Sequence, residues 1–569
     1  MRPWLRDLAG RTFDVLVIGG GACGAAVARE SALRGLSTAL VEKGDFGEGA
    51  SAHCLKMVHG GIRYLQHLDI SRLRRSCQER AALLRIAPHL VSPLAIAVPT
   101  YGWGRRGKPF LAAGMTLYDL LSADCRRQNA DPARRIASTQ LLSPSEVLEQ
   151  FPLLERDGLT GAAVFEDGQM HSATRLVWAF VAAARAAGTS AANYLEAVTL
   201  LRRGDRVEGV TVRDRLSDDV FDVRARVVIN ASGPWAEGLL ESGRIEPARY
   251  RGTYSRDTCF VVDRRFSSSL ALAVQGKGSD SDTVVGRGAR HMFLAPWRDK
   301  TLVGVWHRVV ERQPDEVDLS REQLESFIDE INSVLPPLQL TLRDVRMAGF
   351  GLVPFGETQQ GGATLSFGHE SKVIDHAARD GVRGLITVIS VRYTVARQDA
   401  STALDLAASQ AGLKFNDVDS TTVPLPGGTI DDFSALLASA RGDTPHWLGQ
   451  SGIESLVRNH GTGYRQILDL AASQPALARV VDGTDVSLAE VAHACRQEMV
   501  ASLADVIFRR TQIGTGEAPS GVAIEQVAQV MRDELGSTDR DLERDRAVVS
   551  HHLRRYWAGR ANAAHGGGT

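Results

Sequence analysis

Residues 13–42 read FDVLVIGGGACGAAVARESALRGLSTALVE, and this stretch limits the fold more than any other. The apolar run Val15, Leu16, Val17, Ile18 leads into Gly19, Gly21 and Gly24, spaced G-x-G-x-x-G. An alanine-rich helical segment follows from Ala25 to Leu33, and Gly35 breaks it. A second apolar strand runs from Thr38 to Val41 and ends in Glu42. Strand, glycine turn, helix, strand and terminal acid together specify a βαβ dinucleotide unit. The glycines permit a tight turn and let backbone N–H groups approach a pyrophosphate at the helix N-terminus. The acid accepts hydrogen bonds from an adenosine ribose. A G-x-G-x-x-G without this context is a weak signal; here each flanking element is in place.

A chain of 569 residues is too long for one small core, so two or three domains are expected. The formal net charge of -1 leaves no whole-chain footprint for a polyanion, and no nucleic-acid partner is expected. The cysteines Cys23, Cys54, Cys77, Cys125, Cys259 and Cys495 form no C-x-x-C pair. No zinc site, other metal site or disulfide framework is therefore expected, and a reducing compartment fits. The missing C-x-x-C also argues against a two-dinucleotide disulfide reductase. Residues 1–12 carry Arg2, Arg6 and Arg11 without an apolar core, unlike a secretory signal. No apolar run is long enough to span a bilayer. A cytoplasmic location is the expectation.

A Gly-, Ala- and Ser-rich loop follows at 44–53, then a charged helix from Ile70 to Ile86. Residues 87–132 look irregular. Within them, 100–121 is basic at one end and amphipathic at the other. It reads as a surface helix or, more sharply, as a membrane-surface contact through Trp103, Arg105, Arg106, Lys108 and Phe110. Residues 160–232 alternate helix and strand, and 226–235 reads as a buried strand ending in a small-residue turn. Residues 257–310 are strand-rich and predict an antiparallel substrate-domain sheet. A capped helix is expected over 319–335. A strand and helix over 384–405 are placed to close the dinucleotide sheet. After the linker-like 423–428, residues 431–560 show helical periodicity alone. The expected division is an oxidoreductase domain over 1–430, with dinucleotide-binding segments near 13–75, 190–236 and 384–405, and a helical domain over 431–569.

Several blocks now spell a family: VIGGGACGAA at 17–26, LKMVHGGIRYLQ at 55–66, ERAALLRIAPHLVSPL at 79–94, NASGPWA at 230–236 and LAPWRDKTLVG at 294–304. With LPGG at 425–428 and the run 490–514, the chain resembles the FAD-dependent respiratory glycerol-3-phosphate dehydrogenases over nearly its whole length. The H-G-G-x-R-Y block is the most specific of these. The resemblance implies an α/β FAD-binding Rossmann-like fold, an antiparallel substrate domain and a C-terminal all-helical domain. It implies FAD as cofactor and hydride transfer from a secondary alcohol to flavin N5. Quinone or O2 would accept the electrons, and a homodimer or a peripheral membrane position is compatible with it. By position it implies FAD contacts at Gly19, Gly20, Gly21, Ala22, Cys23, Gly24, Glu42, Lys43, Ser51, Lys56, Met57, Val198, Ala231, Gly233, Arg392 and Tyr393. It implies catalytic or substrate roles for His59, Arg63, Tyr64, Cys259, His307 and Arg392. Arg63 would present a guanidinium fork to an anion.

The departures from the family pattern fall in the substrate pocket. Val353 stands where the family's G-x-R-P arginine is expected. No arginine lies in 367–375, where a second is expected. The family's G-G-K is Ser390-Val391-Arg392 here, its K-G-S-H is Arg256-Asp257-Thr258-Cys259, and its G-T-T-D is Gly304-Val305-Trp306-His307. Either the substrate is not glycerol 3-phosphate, or Arg256, His307, Arg308 and Arg392 rebuild an anion site. A flavoprotein that has lost turnover and serves in binding or assembly is the alternative from another class. His53 and Cys54 lie in the loop nearest the flavin, and either packs there or attaches to it covalently.

Overall fold

A computed structural model describes residues 5–102, 107–245, 253–267, 269–279, 289–354 and 371–556. The first strand, Thr12–Ile18, lies inside an eight-stranded sheet. It pairs in parallel with Thr38–Val41 on one side and with Val220–Asn230 on the other. Ser190–Ala192 extends the sheet in parallel beyond Thr38–Val41. Leu385–Ile389 adds in parallel beyond Val220–Asn230, so the late βα unit closes this sheet. Helix Ala22–Leu33 covers one face and packs against helices Ala173–Ala186 and Ala396–Ala411. Alanines carry this packing: Ala25, Ala26, Ala28, Ala400, Ala403 and Ala407 share one buried cluster. Small side chains bring the helices and the sheet close together, and every residue from Gly24 to Ala32 is buried.

The second sheet has nine strands among the described residues. Its order runs Val345–Pro354, Thr253–Val262, Lys300–Glu311, Ala289–Trp297, Leu270–Ser279, Val91–Tyr101, Leu159–Met170 and Met57–Val58, with Gln140–Leu142 on the edge of Leu159–Met170. The expected antiparallel sheet is present with one exception, since Leu270–Ser279 runs parallel to Val91–Tyr101. The irregular reading of 87–132 is corrected here. An eleven-residue strand, Val91–Tyr101, occupies much of it, and helix Lys108–Leu121 follows. Pro93 and Pro99 hid the strand, because proline ordinarily argues against a central strand. They flank the stretch Ala95–Ala97, the part that also pairs with Leu270–Leu272, so no doubly paired residue lacks its N–H. Helix Arg321–Val334 begins at a Ser320–Gln323 capping box and lies on the outer face, where Phe327 stacks on Trp306.

Beyond residue 431 the described elements are helical apart from one isolated bridge. Two apolar clusters fill this C-terminal helical domain. Buried ion pairs tie it to the rest of the chain. Arg175 Nη1 donates to Glu498 at 2.5 Å, and Asp45 accepts from Arg509 and Arg510.

Candidate active site

The glycine turn is built by close backbone contacts. Gly19 has φ +100°, and a Cβ there would sit 2.6 Å from the Ala231 carbonyl oxygen. A Cβ on Gly24 would lie 1.8 Å from the Gly19 carbonyl oxygen. Helix and two strand ends therefore meet at a point that tolerates no side chain. Gly21 caps the helix with no side-chain hydrogen bond of its own, while the Ala22 N–H donates to Ser51 Oγ at 3.0 Å. Cys23 follows in the same first turn, where burial pushes its thiol up. Opposite, Gly233 has φ +59° and no atom within 4 Å of its Cβ position, so this side of the turn is open.

Glu42 is anchored at the end of its strand. It accepts from the Gly20 N–H at 2.6 Å and from the Gly44 N–H at 2.8 Å. Burial pushes its carboxyl up, and those two backbone donors only partly offset the effect. Lys43 lies over the Trp235 ring at 3.8 Å and pairs with Asp315 at 3.6 Å. Val198 sits at a bulge in Leu195–Arg203, the strand whose first residue donates its N–H to the Glu42 carbonyl. A bare, open glycine turn beside a buried acid fits a dinucleotide: the helix N-terminus would take the pyrophosphate and Glu42 the ribose.

The segment 56–64 runs along the second sheet. Lys56 takes φ +58° and places its ammonium over the Trp297 ring at 4.9 Å. Burial depresses its pKa. Met57 is buried and pairs with Gln169. His59 Nδ1 lies 3.0 Å from Asp167 Oδ2, and the Gly60 N–H donates to Asp167 Oδ1 at 2.6 Å. Arg80 Nη1 reaches the same Oδ1 at 2.7 Å, as well as Tyr118 Oη and the Glu166 carbonyl. Burial alone would raise the Asp167 carboxyl, but the His59 hydrogen bond and the Arg80 charge outweigh it and hold the pKa below the ordinary value. Asp167 is buried, whereas the His59 side chain is 48% exposed, so one imidazole edge is fixed and the other is open. The His59 N–H also donates to Thr394 Oγ1 at 3.1 Å, joining this segment to the start of the closing helix.

Arg392 lies over the Tyr64 ring at 4.9 Å and donates to Ser76 Oγ at 3.2 Å. Arg63 is exposed in the 3-10 turn Ile62–His67. Tyr393 donates from its hydroxyl to the Ala173 carbonyl at 2.9 Å. Across the site, Phe293 comes within 6.0 Å of the His59 ring. Its strand neighbour Gly304 faces Cys259, a buried thiol that burial pushes up. His307 Nδ1 lies 2.7 Å from Asp257 Oδ1, its partner across the strands.

Arg256 and Arg308 do not join this cluster. They pair with each other one residue along from Asp257 and His307, and successive strand residues face opposite ways. Arg256 Nη1 donates to the Asp318 carbonyl and to Gln323 Oε1, under helix Arg321–Val334. The rebuilt anion site expected from four residues loses these two. Trp103, Arg105 and Arg106 lie outside the described residues, as does part of 367–375.

Asp167, Arg80, Asp257 and Thr394 escaped the sequence reading. The one signal for Asp167 was the acidic pair Glu166-Asp167 that follows the apolar run Ala162–Phe165. A further group, His460, His493 and Glu498, has ligand atoms within 4.8 Å of one another. The Arg175 guanidinium already donates to Glu498 and lies 3.2 Å from His460 Nδ1, so a cation holds that place.

Comparison with known proteins agrees with this geometry. Residues 14–389 match the model of the FAD dependent oxidoreductase family, and residues 418–542 match the C-terminal domain of alpha-glycerophosphate oxidase. A glycerol-3-phosphate dehydrogenase from Synechocystis sp. is 31% identical over 560 residues, 96% of this chain and 97% of that protein. The chain belongs to the FAD-dependent glycerol-3-phosphate dehydrogenase family. The human mitochondrial glycerol-3-phosphate dehydrogenase is 30% identical over 93% of this chain and 71% of its own length. The crystal structure of a glycerol-3-phosphate dehydrogenase from Bacillus halodurans, complexed with FAD, shares the fold. Its TM-score is 0.74 at 23% identity, covering 97% of this chain and 96% of that one. As a member of this family the chain is an FAD-dependent oxidoreductase.

Proposed function

We propose that this family member oxidises a small polar secondary alcohol, with His59 as the base and with Arg63 and Arg392 at the polar end of the substrate. The observation that carries the reading is the half-exposed His59 ring held at Nδ1 by buried Asp167. With Nδ1–H donated to the carboxylate, Nε2 keeps a free lone pair for a substrate hydroxyl proton. FAD, when bound, supplies the hydride acceptor. Gly19 to Gly24, Glu42, Lys43, Ser51, Val198, Ala231 and Gly233 form its dinucleotide cradle in this reading, while Lys56, Met57 and Tyr393 support its ring end. Cys259 and the His307–Asp257 pair line the substrate side. Residues 1–430 and 431–569 are the proposed domains.

Relatives named glycerol-3-phosphate dehydrogenases make that compound the first substrate to test, and it is expected to be poor. Val353 lies in Val345–Pro354, paired with Ser255, and carries no charge where the resemblance implies a cation. Each charged hydrogen bond contributes roughly 1.5–3 kcal/mol, so two lost ligands weaken phosphate binding by several kcal/mol. Anaerobic protein mixed with millimolar glycerol 3-phosphate should keep its flavin band, whereas a screen of uncharged and carboxylated alcohols should find one that bleaches it. Rapid bleaching by glycerol 3-phosphate, with turnover through a quinone analogue, would refute this specificity and direct attention to Arg392→Ala. Bleaching by no alcohol at all would favour the binding or assembly alternative.

A peripheral membrane contact belongs to the same proposal, with quinone as the acceptor it favours over O2 and a cytoplasmic-side location. No described helix is long and apolar enough to cross a membrane. Helix Lys108–Leu121 buries Met115 and Tyr118 but leaves Phe110, Leu117 and Leu120 exposed, and Leu68 and Ile70 are exposed beside the neighbouring turn. An exposed apolar face on the helix that follows the basic sequence stretch Arg105, Arg106 and Lys108 suits a lipid surface. Leu117→Ser with Leu120→Ser should cut cosedimentation with anionic vesicles severalfold; equal sedimentation of variant and wild type would rule this face out.

A further inference from the structure

The glycine turn does not stand alone. Loop 44–54 leans on it, since the Gly47 N–H donates to the Gly20 carbonyl at 2.9 Å and Ser51 Oγ accepts from the Ala22 N–H. Both ends of this loop are in turn held by the C-terminal helical domain. At one end is Asp45, three residues after Glu42 and fully buried. It accepts from Arg509 Nε and from Arg510 Nη1 and Nη2, each at 2.7 Å, and from Asn193 Nδ2 at 3.0 Å. Both arginines come from a π-helical turn, Val506–Arg510, a rare geometry that recurs at functional positions. Arg509 is further fixed by Asp505, which also accepts from the Tyr194 hydroxyl. At the other end is His53, which stacks on Tyr556 at the close of the last described helix, with ring centroids 3.9 Å apart and planes 19° apart. His552 of the same helix lies 6.0 Å from His53 and stacks on Phe508, which adjoins Arg509. Burial, with the nearby charges of Lys56, Arg555 and Arg509, keeps His53 neutral and suited to stacking.

We infer that the helical domain is a clamp on the cofactor loop, so that FAD retention and docking of the helical domain are coupled through Asp45 and His53. This rests on FAD as the cofactor but not on any substrate. Asp45, Arg509, Arg510 and Tyr556 are positioning residues, since they act on the cradle through the loop. A bidentate pair between two rigid groups fixes one end of the loop far better than a single flexible contact. The coupling is reciprocal: whatever loosens the clamp weakens FAD, and FAD tightens the docking.

The test is the FAD dissociation constant and release rate of the full-length holoprotein, read from the fluorescence of freed flavin. Asp45→Asn, which keeps the shape and removes the charge, and Tyr556→Ala, which removes the stack, should each weaken FAD at least tenfold. Glu534→Gln is the control. It removes a carboxylate that Arg496 contacts inside the helical domain, away from the loop, and should leave FAD affinity unchanged. Circular dichroism establishes which variants are folded. If Asp45→Asn does not fold, Tyr556→Ala decides. Folded variants that hold FAD like wild type would overturn the clamp, as would a Glu534→Gln chain that loosens FAD equally. A wild-type chain that takes up no FAD would instead overturn the cofactor assignment, a distinguishable result.

Discussion

Replacing Gly24 with alanine is expected to give a colourless protein that regains no flavin absorbance on addition of FAD. The new Cβ would sit 1.8 Å from the Gly19 carbonyl oxygen, an approach real structures do not show. The neighbour has little room to give way, because Gly19 lies at the tight turn beside Ala231, where a Cβ of its own would come within 2.6 Å of the Ala231 carbonyl oxygen. The helix start must therefore move off the strand end, taking with it the N–H groups that would receive the pyrophosphate. Gly21→Ala is the informative contrast. Its Cβ would meet only Ser51 Oγ at 3.2 Å, the tip of a rotatable side chain, so that variant should fold and lose affinity through the cradle alone. A Gly24→Ala protein that purifies yellow with stoichiometric FAD would contradict this account of the turn.

These two glycines also show what was legible in the sequence. The βαβ unit is local: its strand, turn, helix and acid lie within thirty residues, and hydrophobic period and glycine spacing report them directly. Strand Val91–Tyr101 was hidden because its prolines carry the opposite local signal, and only pairing with two distant strands overrides it. The candidate site was legible where the resemblance supplied a block, as at His59 and Tyr64. It was not legible where the candidate site is built from pairs far apart in the chain. His59 and Asp167 are 108 positions apart, and Asp45 and Arg510 are 465 apart. No periodicity records such pairs. Arg256 shows the converse failure, since the resemblance offered it as an anion ligand but strand alternation turns it beneath helix Arg321–Val334.

Asp167 joins stability and chemistry, so its substitution should damage both. Asp167→Ala leaves Arg80 fully buried with a hydroxyl and a carbonyl but no counter-charge, and breaking a buried pair this way costs about 3–5 kcal/mol. Asp167→Asn keeps the volume and should cost less in folding. It should still lower the rate of flavin reduction by the cognate alcohol by about 10²–10⁴, the usual contribution of a positioned base. An asparagine amide can turn its NH2 toward His59 Nδ1, and the imidazole then carries its proton on the wrong nitrogen. Because the Asp167 carboxyl lies below its ordinary value when folded, its contribution to stability is full above the unfolded value, about pH 4. It is lost as pH falls through the folded value, so wild type should lose more stability than Asp167→Asn as pH falls below about 4. Tyr118→Phe provides the separation. It removes one Arg80 partner without touching His59, and should lower the melting temperature while leaving flavin reduction intact. If Asp167→Asn reduces its flavin as fast as wild type, His59 is not held as a base by this carboxylate, and the partly buried His307, backed by Asp257 at 2.7 Å, becomes the group to replace next.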